Sequence, residues 1–347
     1  MLTTTIGAYP KPDDVPLPDW FHAEGGTDTP DPTRGYAEAW AEWGEALREI
    51  LDRATVEVVR EQVALGIDLP TDGEIRRENY IHYHCRHIAG IDFARLSEKT
   101  MRGHYRARLP TVRGPLAATD PFLVRDWQVA QAATDRPVKI TVPGPLTITD
   151  SIVDAHYGDP ARLGRALAEV LNVEIRRLGE AGCRWIQVDE PLFARRTEEA
   201  LAFGIENLER CLHGLPAGVT RCVHICCGYP DRVDREDYPK APREAYFRLA
   251  PVLDGAAVDA VSIEDAHRHN DLRLLERFAR KTVIFGVIAI ARSRVEKVEE
   301  VRGRLAAALG HIDRERLIAA PDCGLGLLPR KRVREKLRVM VAAARTL

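Results

Sequence analysis

Two residue types that bind transition metals stand two positions apart in the apolar segment 222–227. A short apolar segment predicts a β-strand, and the alternation of side chains along a strand puts His224 and Cys226 on the same side. Cys227 then points the other way. A nitrogen and a sulfur presented side by side suit Zn²⁺. A His-x-Cys pair alone is a weak signal, so its value depends on the elements that would bring further ligands beside it.

Eight short apolar segments alternate with longer segments of helical periodicity, which is typical of βα units around a parallel sheet. The predicted strands are residues 3–9, 66–74, 138–144, 185–191, 222–227, 257–264, 283–289 and 317–324. Eight such units predict an α/β fold of the (β/α)8 TIM-barrel type, formed by residues 1–347 as one domain. An open doubly wound sheet is the alternative, although no glycine-rich phosphate loop follows the first strand.

Two segments exceed what a minimal barrel needs. Residues 10–35 are rich in proline and follow the first strand directly, so we expect a long loop over the active face. Residues 75–126, between the second and third strands, are too long for one crossover helix. They predict an excursion, in the form of a hairpin packed beside the barrel mouth.

In a barrel the chemistry lies at the C-terminal ends of the strands. The predicted strands deliver several ionisable side chains there, in addition to the His-x-Cys pair: Asp72, Glu74, Asp189, Glu190, Glu264, Asp265, Asp322 and Cys323. A carboxylate from the strand after the His-x-Cys pair and a thiolate from the last strand would complete a tetrahedral zinc site. The sequence therefore predicts His224, Cys226, Glu264 and Cys323 as zinc ligands.

The competing interpretation is that a cysteine in a strand is a small hydrophobic residue and that a strand-end carboxylate caps the next helix. We adopt it for Cys183, Cys211 and Cys222. Four ligand-type residues at the same end of neighbouring strands argue against it for the predicted zinc ligands.

Composition excludes other classes of function. The 50 Lys and Arg against 52 Asp and Glu give a formal charge of −2, without the basic excess of a nucleic-acid binder. The longest uncharged apolar run, residues 283–291, is far shorter than the roughly 20 residues of a membrane helix. The N-terminus lacks the pattern of a secretory signal, and seven cysteines are too few for a disulfide scaffold. We therefore expect a cytoplasmic protein with no nucleic-acid or membrane partner.

The segments TTTIGAYPK, DGE, PGPLTITDS, IQVDEP, VHIC, SIE and DCGL occur in this order along nearly the whole chain. In order and spacing they resemble the catalytic half of cobalamin-independent methionine synthase. The resemblance implies a (β/α)8 barrel and a zinc ion held by the same four predicted ligands. It further implies that Glu74 and Asp189 bind the amino group of homocysteine, and it matches Ile6, Gly7 and Ala8 to the Ile-Gly-Ser segment of the family's substrate site.

Three departures from the family concern the substrates. Ala8 stands where the family has Ser, which removes a hydroxyl contact to the substrate carboxylate. Ala289 and Ala291 stand where full-length synthases carry an Asp and a proton-shuttling His. Full-length synthases also have an additional N-terminal barrel, for which we expect no room in this chain.

The sequence thus predicts a zinc-dependent S-methyltransferase whose nucleophile is the thiolate of homocysteine or a similar thiol, with methyl-tetrahydrofolate or a methylcorrinoid as donor. Removing a methyl group from a tertiary amine needs a positioned acid, so the two alanines favour the corrinoid, free or on a partner corrinoid protein. The general acid, if there is one, stays unassigned. Alternatives are an alkyl transferase for another thiol, similar to the epoxyalkane to coenzyme M transferases, and a protein that stores zinc or a corrinoid.

Overall fold

The computed structural model describes residues 1–235 and 237–347, and two β-sheets lie within them. In chain order their strands are β1 (Leu2–Thr3), β2 (Ile88–Met101), β3 (Tyr105–Ala118), β4 (Lys139–Pro143), β5 (Val153–Asp154), β6 (Trp185–Asp189), β7 (Thr220–Ile225), β8 (Ala260–Ile263), β9 (Thr282–Ile288) and β10 (Leu317–Pro321). The larger sheet is parallel and curled, with the order β1-β10-β9-β8-β7-β6-β4.

Residues 69–71 close this sheet between its two edges. Leu69 forms a parallel bridge to Thr4 beside β1, and Thr71 forms one to Lys139 at the start of β4. Pro70 between them has no N–H to donate, which interrupts the ladder. The predicted second strand therefore fills the eighth position of the ring, but as two isolated bridges. The predicted (β/α)8 barrel is confirmed, and the open doubly wound sheet is excluded.

The helices cover the outside of the sheet. They are α1 (Tyr36–Ala64), α2 (Tyr80–Arg86), α3 (Leu123–Gln131), α4 (Pro145–Ser151), α5 (Pro160–Ala181), α6 (Leu192–Arg195), α7 (Thr197–Glu199), α8 (Ile205–Leu212), α9 (Ala245–Gly255), α10 (Val298–Ala308) and α11 (Arg330–Arg345). Shorter 3-10 turns lie at Trp20–His22, Gly26–Asp28, Leu272–Arg277 and Arg314–Arg316. Within the described residues, every helix is too short or too polar to cross a lipid bilayer.

Helix α5 shows how the sequence sets these elements. Asp159 caps its first turn by accepting a hydrogen bond from the Arg162 N–H, and Pro160 occupies the first helical position, where a missing N–H costs nothing. Leucine or isoleucine side chains recur every three or four residues from Leu163 to Leu178 and are buried. The helix ends at Gly182, whose φ of 110° suits glycine.

Alternation along the strands divides the core into an inner and an outer layer. Cys222, Ala260 and Ile284 point into the barrel, where they pack together with Ile6 and Ile318. The adjacent residue on each of these strands points outward and packs against the helices, as Val223, Val261 and Val283 do. Because inward positions recur every second residue, the inner face of β7 continues from Cys222 to His224 at the barrel mouth.

The predicted excursion between the second and third barrel strands contains a long antiparallel hairpin of β2 and β3. Residues Thr111 and Val112 of β3 also pair in parallel with β5, which completes the three-stranded sheet. The hairpin turns at Arg102 and Gly103, both with positive φ. This turn carries Arg102 to the barrel mouth, as the prediction of a hairpin beside the mouth required.

Candidate active site

One pocket opens at the C-terminal ends of the barrel strands. Its wall is formed by the strand ends and the residues that follow them, the loop after β1, the start of α2, the end of α6 and the tip of the hairpin. The lining residues are Ile6, Gly7, Ala8, Trp20, Phe21, Glu74, Tyr80, Arg102, Asp189, Pro191, Arg195, His224, Cys226, Tyr229, Cys323 and Gly324. The pocket therefore brings together eight of the nine residues that the sequence predicts for the site. Glu264, the ninth, lies behind this wall.

His224, Cys226 and Cys323 form a cluster in which the candidate ligand atoms lie within 4.8 Å of one another. His224 ends the inner face of β7, Cys226 follows that strand, and Cys323 follows β10. The His224 Nε2 lies 3.3 Å from the Cys323 Sγ. Cys227 packs in the outer hydrophobic core, on the other side of the chain from Cys226.

Ser262 fixes the orientation of the His224 ring, and sequence reasoning missed it. The two residues are partners in the parallel register of β7 and β8, and the Ser262 Oγ lies 2.9 Å from the His224 Nδ1. With Nδ1 engaged by the hydroxyl, Nε2 is the nitrogen that faces the two thiols. The signal was present in the sequence, because Ser262 stands two residues before Glu264, as His224 stands two before Cys226.

Glu264 lies in a second cluster with His267 and Asp322. Its Oε1 is buried and has no hydrogen-bond partner in the described part of the chain. Burial, together with the charges of Asp322 and Cys226, raises the pKa of the Glu264 carboxyl well above its usual range. A buried carboxylate oxygen without a partner is costly, and a cation is the partner that would relieve this cost.

The donor set of these two clusters fits a zinc ion. A contact between the two sulfurs lowers the pKa of Cys226 and raises that of Cys323, as expected for two thiols that share one proton. A divalent cation could replace that proton. One imidazole, two thiolates and one carboxylate are ligands that Zn²⁺ accepts. The sulfur-rich set disfavours Mg²⁺ and Ca²⁺, which prefer oxygen.

Asp322 braces the loop that follows β8. Its carboxylate accepts hydrogen bonds from the N–H groups of Asp265, Ala266 and His267 at 2.7–2.9 Å and lies 2.6 Å from the His267 Nδ1. Because Cys323 is the next residue, this bracing links the last strand to the loop that begins at Glu264. Asp322 therefore positions two predicted zinc ligands relative to each other.

Glu74 is held by two neighbours. Its Oε1 accepts a hydrogen bond from the Thr141 Oγ1 at 2.6 Å and lies 3.2 Å from the Arg77 Nη1. Gly7 packs so closely that a Cβ there would lie 2.6 Å from the same oxygen, so only glycine fits. Arg76 instead pairs with Asp52 and Asp126. Glu74 thus also takes part in an ion pair at the barrel mouth, through Arg77.

Asp189 is held by the amide side chain of Gln187, whereas Glu74 lies beside the cation of Arg77. Its Oδ1 accepts a hydrogen bond from the Gln187 Nε2 at 2.7 Å, and the Gln187 Oε1 in turn accepts one from the Lys139 Nζ at 2.6 Å. Burial raises the pKa of Asp189 to about 7 and lowers that of Lys139 to about 8. The hydrogen bonds that connect Lys139, Gln187 and Asp189 were not predicted, because Lys139 and Gln187 lie at inward positions of strands that are otherwise apolar.

Two sets of residues bear on the binding of a methyl donor: aromatic side chains that could stack on a flat ligand, and the two alanines at the family's acid positions. Trp20 and Phe21 line the pocket, so a flat ligand could stack there, whereas Trp127 is a buried residue of α3 and does not line the pocket. Ala289 and Ala291 are buried and do not line the pocket.

Two histidines, His267 and His87, do not line the pocket and are engaged by other groups. His267 uses both ring nitrogens, one with Asp322 and one accepting the Ala291 N–H at 2.9 Å. His87 stacks on Phe122 with 4.0 Å between ring centroids, away from the pocket.

Two arginines in the wall were not predicted. Arg102 comes from the hairpin tip and donates from Nη1 to the Asp28 Oδ1 at 2.7 Å. Arg195 ends α6, and its Nε is buried without a hydrogen-bond partner in the described residues. Their distance in sequence gave no signal, because the fold of the excursion brings Arg102 to the wall that contains Arg195.

The family described as "Cobalamin-independent synthase, Catalytic domain" matches residues 1–202 and 247–346. This is most of the chain, and the chain therefore belongs to that family, which confirms the predicted resemblance. The matched ranges contain Glu74, Asp189, Glu264 and Cys323, whereas His224 and Cys226 lie in the unmatched segment between them.

Individual relatives agree with the family. Methionine synthases of Sulfolobus acidocaldarius and Sulfurisphaera tokodaii are 29% and 30% identical over 341 residues, which cover 98% of the chain and 90% of each relative. The structure of a B12-independent methionine synthase from Shewanella sp. W3-18-1, in complex with selenomethionine, is similar with a TM-score of 0.86 at 30% identity, covering 99% of this chain and 96% of that one.

Proposed function

We propose that this protein is a zinc-dependent S-methyltransferase that converts homocysteine to methionine. One observation carries the proposal: the His224, Cys226 and Cys323 cluster and the carboxylates of Glu74 and Asp189 line the same pocket. A metal that binds sulfur and a pair of anions that bind an ammonium match the two ends of an amino-acid thiol. The naming of the relatives as methionine synthases supports the same substrate.

His224, Cys226, Glu264 and Cys323 would hold the zinc ion. When bound, zinc keeps a coordinated thiol deprotonated at neutral pH, where a free thiol of pKa ~8.5 is mostly protonated. Ser262 holds the His224 ring so that Nε2 faces the ion. Asp322 keeps Cys323 and the Glu264 loop in register.

Glu74 and Asp189 would bind the ammonium of homocysteine, and the backbone of Ile6, Gly7 and Ala8 would lie against its carboxylate. In the transfer, a sulfur lone pair forms the new C–S bond while the bond between the methyl carbon and the donor breaks. The electron pair of the broken bond leaves with the donor, and the thiol proton is lost to solvent. The carboxylates fix the amino acid so that its sulfur faces the methyl group.

The identity of the methyl donor rests on two opposing arguments. The family description, which excludes cobalamin, favours methyl-tetrahydrofolate. The departing folate amine needs a proton, yet Ala289 and Ala291 occupy the family's acid positions and His267 is fully hydrogen-bonded. A reduced corrinoid leaves without a proton. We therefore propose a methylated corrinoid, free or carried by a protein, as the better donor.

The test uses zinc-loaded protein with homocysteine or coenzyme M as acceptor, and with methylcobalamin, methyl-tetrahydrofolate or its polyglutamate form as donor. Thioether formation is followed by mass spectrometry. We expect methionine, formed faster from methylcobalamin. Methionine from methyl-tetrahydrofolate alone would overturn the donor assignment. Alkylation of coenzyme M in place of homocysteine would overturn the acceptor, and stoichiometric zinc without any transfer would indicate a storage protein.

A further inference from the structure

Arg195 is a half-buried cation that forms no ion pair within the described part of the chain. Its Nε is inaccessible and lacks a hydrogen-bond partner, and no carboxylate in the described residues forms an ion pair with the guanidinium. Burial and the nearby charge of Arg102 lower the pKa of Arg195, and the opposing charges of Cys226 and Asp150 do not offset them. The neighbouring Arg196 is the opposite case, since it is exposed and pairs with Asp150 and Glu199.

Two fully buried arginines, Arg76 and Arg77, show what a guanidinium away from water requires. Arg76 pairs with Asp52 and Asp126, and Arg77 pairs with Asp72 and Glu74. Removing a guanidinium from water is expensive unless an anion compensates it. Because Arg195 lines the pocket, that anion can come from a ligand.

The position of Arg195 in the pocket indicates which of the two substrates supplies this anion. Arg195 lies beside Pro191 and Tyr229 in the wall and close enough to Cys226 for their charges to interact. Two further clefts that open beside the pocket also reach Arg195 and Arg102. The two arginines therefore lie where the pocket adjoins these clefts, whereas the proposed amino-acid contacts come from the strand ends.

We propose that Arg195, assisted by Arg102, forms an oxyanion subsite for the methyl donor, a role that rests on the proposed function. The group bound there is a carboxylate or a phosphate, which guanidinium binds through paired N–H donors. Both donor classes carry such a group: folates have glutamate carboxylates, and cobalamin has a phosphodiester in its nucleotide loop. Arg102 contributes less, because Asp28 already compensates its charge.

The experiment measures binding without turnover. The dissociation constants of methylcobalamin, methylcobinamide, methyl-tetrahydrofolate and its triglutamate are determined by calorimetry or by quenching of tryptophan fluorescence, since Trp20 lines the pocket. Methylcobinamide lacks the phosphodiester. The proteins are wild type, Arg195→Gln, Arg102→Gln and, as a matched control, Arg196→Gln. Zinc content and homocysteine affinity are measured for each.

In Arg195→Gln we expect binding of the anionic donor to weaken about tenfold or more, because a charge-assisted pair is lost. Arg102→Gln should weaken it about two- to threefold, and Arg196→Gln should not change it. Loss confined to methylcobalamin, with methylcobinamide unaffected, identifies the phosphate. Loss confined to the folates identifies the carboxylates.

Several results would overturn the inference. Equal donor affinity in Arg195→Gln and Arg196→Gln would do so, and so would failure of the wild type to bind any anionic donor. Weaker homocysteine binding with unchanged donor binding would assign Arg195 to the amino-acid carboxylate. A failure of the proposed function has a different signature, because normal donor binding dependent on Arg195 would then occur without methionine formation.

Discussion

The two sides of the pocket differ in how completely their polar groups are satisfied. On the side of β4 and β6, Glu74 is bound by Thr141 and Arg77, and Asp189 is bound by Gln187. On the side of β7, β8 and β10, two thiols share a contact and Glu264 keeps a buried oxygen without a partner in the described residues. Groups within the protein hold the carboxylates of the first side, whereas the second side presents a set of donor atoms that a cation would satisfy.

This difference gives the two sides different roles: the side of β4 and β6 positions the substrate, and the side of β7, β8 and β10 offers the metal ligands. Carboxylates held by neutral donors and one arginine keep their geometry, so they can select a substrate by its ammonium group. Thiols and a carboxylate without compensation bind a metal strongly, because the ion satisfies all of them at once. Substitutions on the two sides should therefore have separable effects, with metal content changing on one side and substrate affinity on the other.

The largest effect is expected for the two thiols. Cys226→Ser and Cys323→Ser should each lose most of the bound zinc, which we expect at about one ion per chain in the wild type, because serine is a far weaker zinc ligand than a thiolate. The measurement is metal analysis of the purified variants. Cys183→Ser and Cys222→Ser are the matched controls, since both residues are buried outside the cluster and should keep the ion. Full zinc retention by Cys226→Ser or Cys323→Ser would refute the assignment.

Glu264→Gln tests whether the orphaned carboxylate belongs to the same site. Gln keeps the shape but removes the charge, so zinc affinity should fall by roughly 10- to 100-fold. The affinity is measured by competition with a chelator. Added zinc should also raise the Tm of the metal-free variant less than that of the wild type. An unchanged zinc affinity would leave three protein ligands and exclude Glu264 from the site.

Asp189→Asn tests the side of β4 and β6, where we expect the ammonium group of the substrate to bind. A charge-assisted hydrogen bond is worth roughly 1.5–3 kcal/mol, so the KM for homocysteine should rise well over tenfold. Zinc content should not change, which distinguishes this variant from those of the thiols. If the wild type used homocysteine and a thiol without the amino group equally well, the ammonium site would have no role.

Much of this architecture could be read from the sequence. Period-two alternation predicted that His224 and Cys226 share a side, and the alternation of apolar runs with helical segments predicted the barrel. The predicted strand over residues 66–74 was too regular, because Pro70 interrupts the ladder and Glu74 has a φ of 56°. Local patterns thus predicted which residues face the mouth more reliably than the extent of each strand.

The remaining features depend on contacts between distant segments. Arg102 reaches the wall that contains Arg195 only because a hairpin folds over the mouth, and hairpin tips carry no periodicity. Lys139 and Gln187 occupy inward positions where apolar residues are the usual expectation, so their hydrogen bond was invisible in either strand alone. Pairing of polar residues across strands follows from register, which one sequence does not specify.

The smallest effect is expected for Lys139, which lies inside the barrel and donates a hydrogen bond to Gln187, the residue that holds Asp189. Burial lowers its pKa from 10.5 to about 8, so between these values the unfolded chain binds the proton more tightly than the folded protein does. The free energy of unfolding contributed by this group should therefore rise with pH, by about 2 kcal/mol between pH 7.5 and 9.5. Lys139→Met has no such proton, so the wild type should gain stability relative to this variant over that range. Urea unfolding of both proteins at the two pH values measures the difference. A pH-independent difference would mean that Lys139 has an ordinary pKa, and Asp189 would then be positioned by Gln187 without a titrating group behind it.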